Sequence, residues 1–127
     1  MKAVLDASAL LAYLQDEPGS GTIEPMLDES AISSVNWAEV VQKSIAGGVE
    51  VDGLREDVEA LGLSILPFTP EEAETAGRLW LKTRSCGLSL GDRACLSLGL
   101  RLGVPVLTTD SDLGDPEFTC DLSLIHI

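Results

Sequence analysis

Four acidic residues stand where chemistry is possible. Asp6 closes the apolar run Lys2–Leu5, and Asp110 follows Thr108-Thr109 just past a second apolar run. Glu39 lies about a turn into a helical pattern after Ala31-Ile32-Ser33, and Asp92 falls in the first turn of another after Ser89. In an open parallel sheet, ligands gather outside the carboxyl ends of the strands, so four segments can deliver these acids to one edge. At ~5 Å and an effective dielectric of ~20, each pair of carboxylates repels by about 3 kcal/mol. Six such pairs approach the order of 20 kcal/mol, against the roughly 5–15 kcal/mol that holds a whole domain together. A divalent cation relieves that conflict, and an all-oxygen donor set points to Mg²⁺ or Mn²⁺ rather than zinc. Such an ion activates water and offsets charge on a phosphate without help from histidine.

Each acid also has a plainer reading. Asp6 would cap the first helix, Asp92 would complete a Ser89-x-x-Asp92 capping box, and Glu39 would be an exposed helix residue. Asp110 and Asp112 would be turn residues. The convergent reading therefore depends on the elements that position all four.

Those elements alternate. Lys2–Leu5 reads as a buried strand feeding a helix over Ala7–Leu14, and a short helix should start near Ser20 within Gly19–Asp28. Ala31–Ser33 is a second strand, followed by a helix marked by Trp37, Val40, Val41 and Ile45 and stopped by Gly47-Gly48. A helix over Val51–Leu61 and a strand at Ser64–Leu66 come next. Thr69-Pro70-Glu71-Glu72 predicts an N-cap, a proline at the first helical position and a capping box closed by Glu72, opening a helix to about Arg84. Ser89–Leu102 is the last helix, ended by Gly103. Val104–Leu107 is the fourth strand, and Thr108–Gly114 a polar loop. Strands alternating with helices give βαβ units, a mostly parallel sheet and an α/β fold.

Composition narrows the class. The 127 residues make one domain, and 45% hydrophobic residues suffice for one core. No apolar run reaches a membrane span or a secretory signal. Cys86, Cys95 and Cys120 form no Cys-x-x-Cys pair, which argues against a zinc or thioredoxin-type site and for unpaired thiols in a cytoplasmic setting. Eight basic residues against 21 acidic ones give a net charge of −13, which disfavours passive coating of nucleic acid and suits a metal cation or a basic partner. Five of the eight basic residues, Arg78, Lys82, Arg84, Arg93 and Arg101, cluster between positions 78 and 101. Of these, Arg78, Lys82, Arg84 and Arg93 are candidates for phosphate contact on a local positive face, set against an ordinary solvated, salt-bridged surface. Trp37 and Trp80 are expected in the core rather than as exposed stacking platforms.

Around the acids the sequence resembles the PIN-domain family, and within it the VapC-type toxin ribonucleases of toxin–antitoxin systems. Val4-Leu5-Asp6-Ala7-Ser8-Ala9-Leu10-Leu11 is similar to the family's opening motif, and Ser33-Ser34-Val35-Asn36-Trp37-Ala38-Glu39-Val40 to its second. Leu88-Ser89-Leu90-Gly91-Asp92-Arg93-Ala94-Cys95 matches the third and Thr108-Thr109-Asp110 the fourth, in order, from Met1 to about Asp115. The resemblance implies a three-layer α/β/α fold with a central sheet of four to five strands. It implies a metal-dependent endoribonuclease, acting on tRNA or rRNA and leaving 5′-phosphate and 3′-hydroxyl ends. Asp6, Glu39, Asp92 and Asp110 would be its catalytic and metal-binding acids with one or two Mg²⁺ or Mn²⁺ ions, and Ser8, Asn36 and Thr108 its supporting polar groups. Asp112 adds an acid where many relatives have none, and would be a further metal ligand or merely loop. A homodimer and a cognate antitoxin whose arginine blocks the site are implied as well.

Other classes fit less well. A receiver-like module needs adjacent acids after the first strand and a late lysine, but Asp6 stands alone and no lysine follows Lys82. A haloacid-type phosphatase needs an acid where Ser8 stands. The remaining alternative is a PIN-fold binding module that partners an antitoxin and cleaves little. The last six residues, Leu122–Ile127, translate CTG TCT CTT ATA CAC ATC, the mosaic-end adapter of transposase-based sequencing libraries. They predict a boundary between a PIN domain over 1–121 and a library-derived tail over 122–127, with His126 foreign and the native C-terminus truncated. The final strand of the fold is expected near Phe118–Ile127, within reach of that tail.

Overall fold

A computed structural model describes residues 1–109 and the strand at 124–126. The chain forms a five-stranded sheet, all of whose neighbouring strands are parallel, in the order β3-β2-β1-β4-β5. Its strands are β1 (Ala3–Leu5), β2 (Ser30–Ser33), β3 (Ser64–Leu66), β4 (Val106–Thr108) and β5 (Leu124–His126). Between them run α1 (Ala7–Leu14), α2 (Ser20–Ile23), α3 (Ser34–Ala46), α4 (Leu54–Ala60), α5 (Pro70–Thr83) and α6 (Leu90–Leu102). Among the described residues, no helix is long and apolar enough to cross a membrane.

Strand period explains the layering. Side chains alternate across a strand, and β1 sends Ala3 and Leu5 into one core and Val4 into the other. Ile32 and Leu107 join the first core beside Leu10, Val40 and Val58 from α1, α3 and α4. Ala31 and Val106 join the second, beside Leu79 of α5 and Leu96 and Leu98 of α6. The three-residue central strand is buried on both faces, as a parallel sheet covered by helices requires. The expected α/β/α architecture is therefore present.

Most boundaries fall where the sequence places them, and the departures have local causes. The fourth strand begins at Val106 rather than Val104, because Pro105 has no N–H to donate; its carbonyl still accepts from Val4. The same shift brings Thr108 into the strand instead of the loop. The fourth helix starts at Leu54 rather than Val51, because Gly53 holds a left-handed φ of 84° at its N-cap. Within Gly19–Asp28 the short helix passes into a 3-10 turn at Glu24–Glu29. The strand Leu124–His126 falls inside the tail read as adapter-derived and pairs with β4.

Three side-chain expectations are corrected. Glu72 does not close a capping box: Thr69 caps α5 by accepting from the Glu72 N–H, but the Glu72 carboxylate turns inward and pairs with Arg101 of α6. Trp80 is not in the core, being 48% exposed on α5, whereas Trp37 packs against the first core. The cysteines are not all unpaired, since Cys86 is disulfide-bonded while Cys95 is free and buried.

The Glu72–Arg101 pair clamps the start of α5 to the end of α6. Glu72 is almost fully buried and Arg101 about half exposed. Removing the cation strands a buried carboxylate, and solvent around Arg101 tempers the cost. Arg101→Ala is expected to destabilise the fold by about 1–3 kcal/mol, read from the urea midpoint; an unchanged midpoint would show that the pair holds nothing.

Candidate active site

Asp6 follows directly on β1 and is the N-cap of α1, its Oδ1 accepting from the Ala9 N–H at 2.9 Å. The Ser8 hydroxyl donates to the same Oδ1 at 2.7 Å, and the Thr108 hydroxyl also hydrogen-bonds Asp6. Ser8 in turn accepts from the Thr109 N–H at 3.0 Å and lies 3.2 Å from the Thr108 hydroxyl. The end of β4 is thus stitched to the end of β1 through two hydroxyls and a carboxylate. Ser8 and Thr108, expected as supporting groups, both reach Asp6.

Asp92 completes the capping box at the start of α6: it accepts from the Ser89 N–H at 2.9 Å, while Ser89 accepts from the Asp92 N–H at 3.1 Å. The structural reading of Asp92 and the chemical one therefore coexist, because the cap fixes the carboxylate at the helix N-terminus. Glu39 sits in the second turn of α3, partly buried, against Gly91. A Cβ at position 91 would overlap Glu39 Oε1, so a larger residue there would make the Glu39 carboxylate shift. Asn36, one turn before Glu39, ties α3 to α6 by donating to the Gly91 carbonyl at 3.0 Å.

Electrostatics tie the three acids together. Burial pushes the Asp6 carboxyl above its ordinary 3.8; the Thr108, Ser8 and Ala9 hydrogen bonds pull it back in part, and Asp92 pushes it up again. Burial likewise raises Glu39 above 4.5, opposed by Lys43 and reinforced by Asp92 and Asp6. Beneath them lies Cys95, its thiol pushed well up by burial and then by Asp6, Asp92 and Glu39, and bonded to the Asp92 carbonyl. That thiol is held protonated and is no nucleophile. The N-termini of α1 and α6 favour Asp6 and Asp92 by roughly 0.3–1 kcal/mol each. Two carboxylates ~8 Å apart at an effective dielectric of ~20 repel by about 2 kcal/mol, more than such a helix terminus returns, so a proton or a bound cation would relieve the acids.

The donor set suits a hard cation. All three acids offer oxygen, and Asn36 Oδ1 is buried with no hydrogen-bond partner. Among the described residues no three potential ligands are gathered tightly enough to clasp a metal by themselves. Mg²⁺ tolerates such a set because it keeps several of its own waters. Asp110 and Asp112 lie outside the described residues.

The expected RNA contacts divide. Arg93 turns inward, its Nη1 donating to the Ala76 carbonyl at 2.9 Å and its Nε buried without a partner. Arg78, Lys82 and Arg84 are on the exposed side of α5 and the turn after it. Sequence reasoning missed Gly91 and Cys95. A glycine inside the first turn of a helix, where it costs about 1 kcal/mol relative to alanine, was the available signal for the first. A small apolar thiol looks like any other core residue, so nothing marked the second.

The PIN domain family matches residues 3–118. The chain belongs to the PIN-domain family. No curated protein matches the sequence by direct comparison. Among solved structures, a toxin–antitoxin complex from Klebsiella pneumoniae is similar at 18% identity and TM-score 0.75, over 99% of this chain and 100% of that one. DNA-bound VapBC from Salmonella typhimurium is similar at 14% identity and TM-score 0.73, over 99% and 98%. VapC20 from Mycobacterium tuberculosis, a toxin cleaving the sarcin–ricin loop, is similar at 12% identity and TM-score 0.70, over 95% and 99%. The PIN match thus covers most of the chain.

Raised carboxyl pKa values set the sign of the metal-free stability profile. Asp6 and Glu39 bind protons more readily folded than unfolded, so stability falls as pH rises from 3.8 and 4.5 through their raised folded values. Asp6→Asn keeps the cap and the acceptor oxygen but removes the buried charge. In EDTA, melting from about pH 4 to about pH 8 should fall less steeply for this variant than for the wild type. A steeper fall in the variant would contradict the site's electrostatics.

Proposed function

We propose that this PIN domain is a VapC-type toxin, a divalent-metal-dependent endoribonuclease that hydrolyses tRNA or rRNA phosphodiesters and is silenced by a cognate antitoxin. The observation that carries the reading is the coupled trio Asp6, Glu39 and Asp92 around the buried end of β1, each raising or raised by another. Asp110 is the fourth acid of the proposed site. Asp112 is a fifth candidate ligand, and Ser8, Asn36 and Thr108 are the supporting groups.

One or two Mg²⁺ or Mn²⁺ ions, when bound, lower the pKa of a water and offset charge developing on the phosphate. The chain's own residues prepare that chemistry. Ser8 and the Ala9 N–H hold Asp6 through Oδ1, and the Thr108 hydroxyl adds a third hydrogen bond that aims the carboxylate. The Ser89 N–H fixes Asp92, and Gly91 admits Glu39 to the same space. Arg78, Lys82 and Arg84 offset the long-range repulsion of RNA, with Arg93 placed mainly in the helix contact. The cationic segment of an antitoxin finds its partner in the same acids. A homodimer and a cytoplasmic address complete the reading.

The test is cleavage of total tRNA and rRNA by the purified chain with Mn²⁺, Mg²⁺ or EDTA. Cuts are expected with either metal and none with EDTA. Asp92→Asn, which can still cap α6, is expected to stay folded and lose at least about 100-fold in rate, as when a charge-stabilising group is removed. Full activity in that variant would overturn the site. A folded, metal-binding wild type that cuts nothing would favour the antitoxin-binding module instead.

A further inference from the structure

Trp80 has no place in the catalytic trio and none in the core. Nearly half of it is exposed on α5, and the Arg84 guanidinium stands over its ring, 5.6 Å from the centroid. Residues 75–91 contain Arg78, Lys82 and Arg84 and no acid, so this segment carries +3 in a chain of net charge −13. The tryptophan lies in the middle of that segment.

Two contacts locate it relative to the acids. Glu72 near the start of α5 pairs with Arg101 near the end of α6, and Ala76 further along α5 accepts from Arg93 near the start of α6. The helices are therefore antiparallel, and the C-terminal turn of α5 lies beside the first turn of α6. That first turn carries Asp92. Trp80 is one turn, about 6 Å, beyond the Ala76 contact in the same direction. Thr83 is buried while Trp80 and Arg84 are exposed, so both occupy the outer flank of this end.

Resting on the nuclease reading above, we infer that Trp80 and Arg84 form a stacking platform for an unpaired nucleobase of the RNA, next to the acidic site. The indole offers the base a face, and Arg84 with Arg78 and Lys82 offers the flanking phosphates positive charge. A chain this acidic needs such an element, because its overall field opposes RNA and only a local basic patch restores the attraction. Protein–protein docking through the same patch is disfavoured for a second copy: two-fold pairing sets Arg78, Lys82 and Arg84 against their own counterparts.

The experiment uses the full chain in EDTA, where cleavage is off, with a fluorescently labelled ten-nucleotide oligoadenylate followed by anisotropy. Trp80→Ala is expected to weaken binding by roughly 10-fold or more, and Trp80→Phe to restore most of it, as base–aromatic stacking does. Intrinsic tryptophan fluorescence should be quenched by the oligonucleotide in the wild type and not in Trp80→Phe, because Trp37 packs against the core. Arg84→Ala should flatten the salt dependence by about 0.7 in log–log slope. With Mn²⁺, Trp80→Ala should raise KM for RNA and leave kcat near wild type. Unchanged affinity in Trp80→Ala overturns the platform, as does a concentration-dependent dimer abolished by that variant while RNA binding persists. Quenching and binding without any metal-dependent cleavage would sink the nuclease reading and leave the platform standing.

Discussion

Everything at this site follows from placing carboxylates where water is scarce. Asp6 is almost wholly buried at the end of the central strand, and Glu39 and Asp92 are close enough to raise or be raised by their neighbours. Helix N-termini and hydroxyls stabilise these charges but do not cancel them, because each contributes less than the repulsion between two acids. The fold thus carries a standing deficit of positive charge at one edge. Only Lys43 acts on Glu39 with opposite sign among the described groups, and nothing of that sign acts on Asp6.

The same residues that create the conflict also build the scaffold. Asp6 caps α1 and Asp92 closes the capping box of α6, so both acids are held by backbone N–H groups. Ser8 bridges from Asp6 to the end of β4, locking the two central strands together at their carboxyl ends. Asn36 ties α3 to α6 at the Gly91 carbonyl, and the missing side chain of Gly91 leaves room for the Glu39 carboxylate. A site assembled from capping interactions is stiff, and stiffness is what electrostatic preorganisation requires.

Much of this was legible in the sequence because it is local. Alternating apolar runs gave the strands, Thr69-Pro70 and Ser89-x-x-Asp92 gave two helix starts, and strand-end position singled out Asp6. Where the reading failed, a distant partner decided. Glu72 has the spacing of a capping box, yet the buried side of α5 faces Arg101 of α6, and an ion pair there outweighs a backbone cap. Trp80 has a core residue's composition, but it falls just outside the stripe Glu72, Ala76, Leu79 and Thr83 that α5 buries. Pro105 delays a strand by two residues through its missing N–H. Gly91 counts as a poor helix residue until the approach of Glu39 is known.

The central claim is that the trio, with Asp110, is a divalent-cation site whose charge deficit the ion relieves. Calorimetric titration of Mn²⁺ into the metal-free chain near neutral pH tests it most directly, with Asp6→Asn alongside. The account predicts saturable binding by the wild type, weaker by about 10-fold or more in the variant, since one charged oxygen ligand is lost. Equal binding by both proteins, or no binding by a folded wild type, would contradict it.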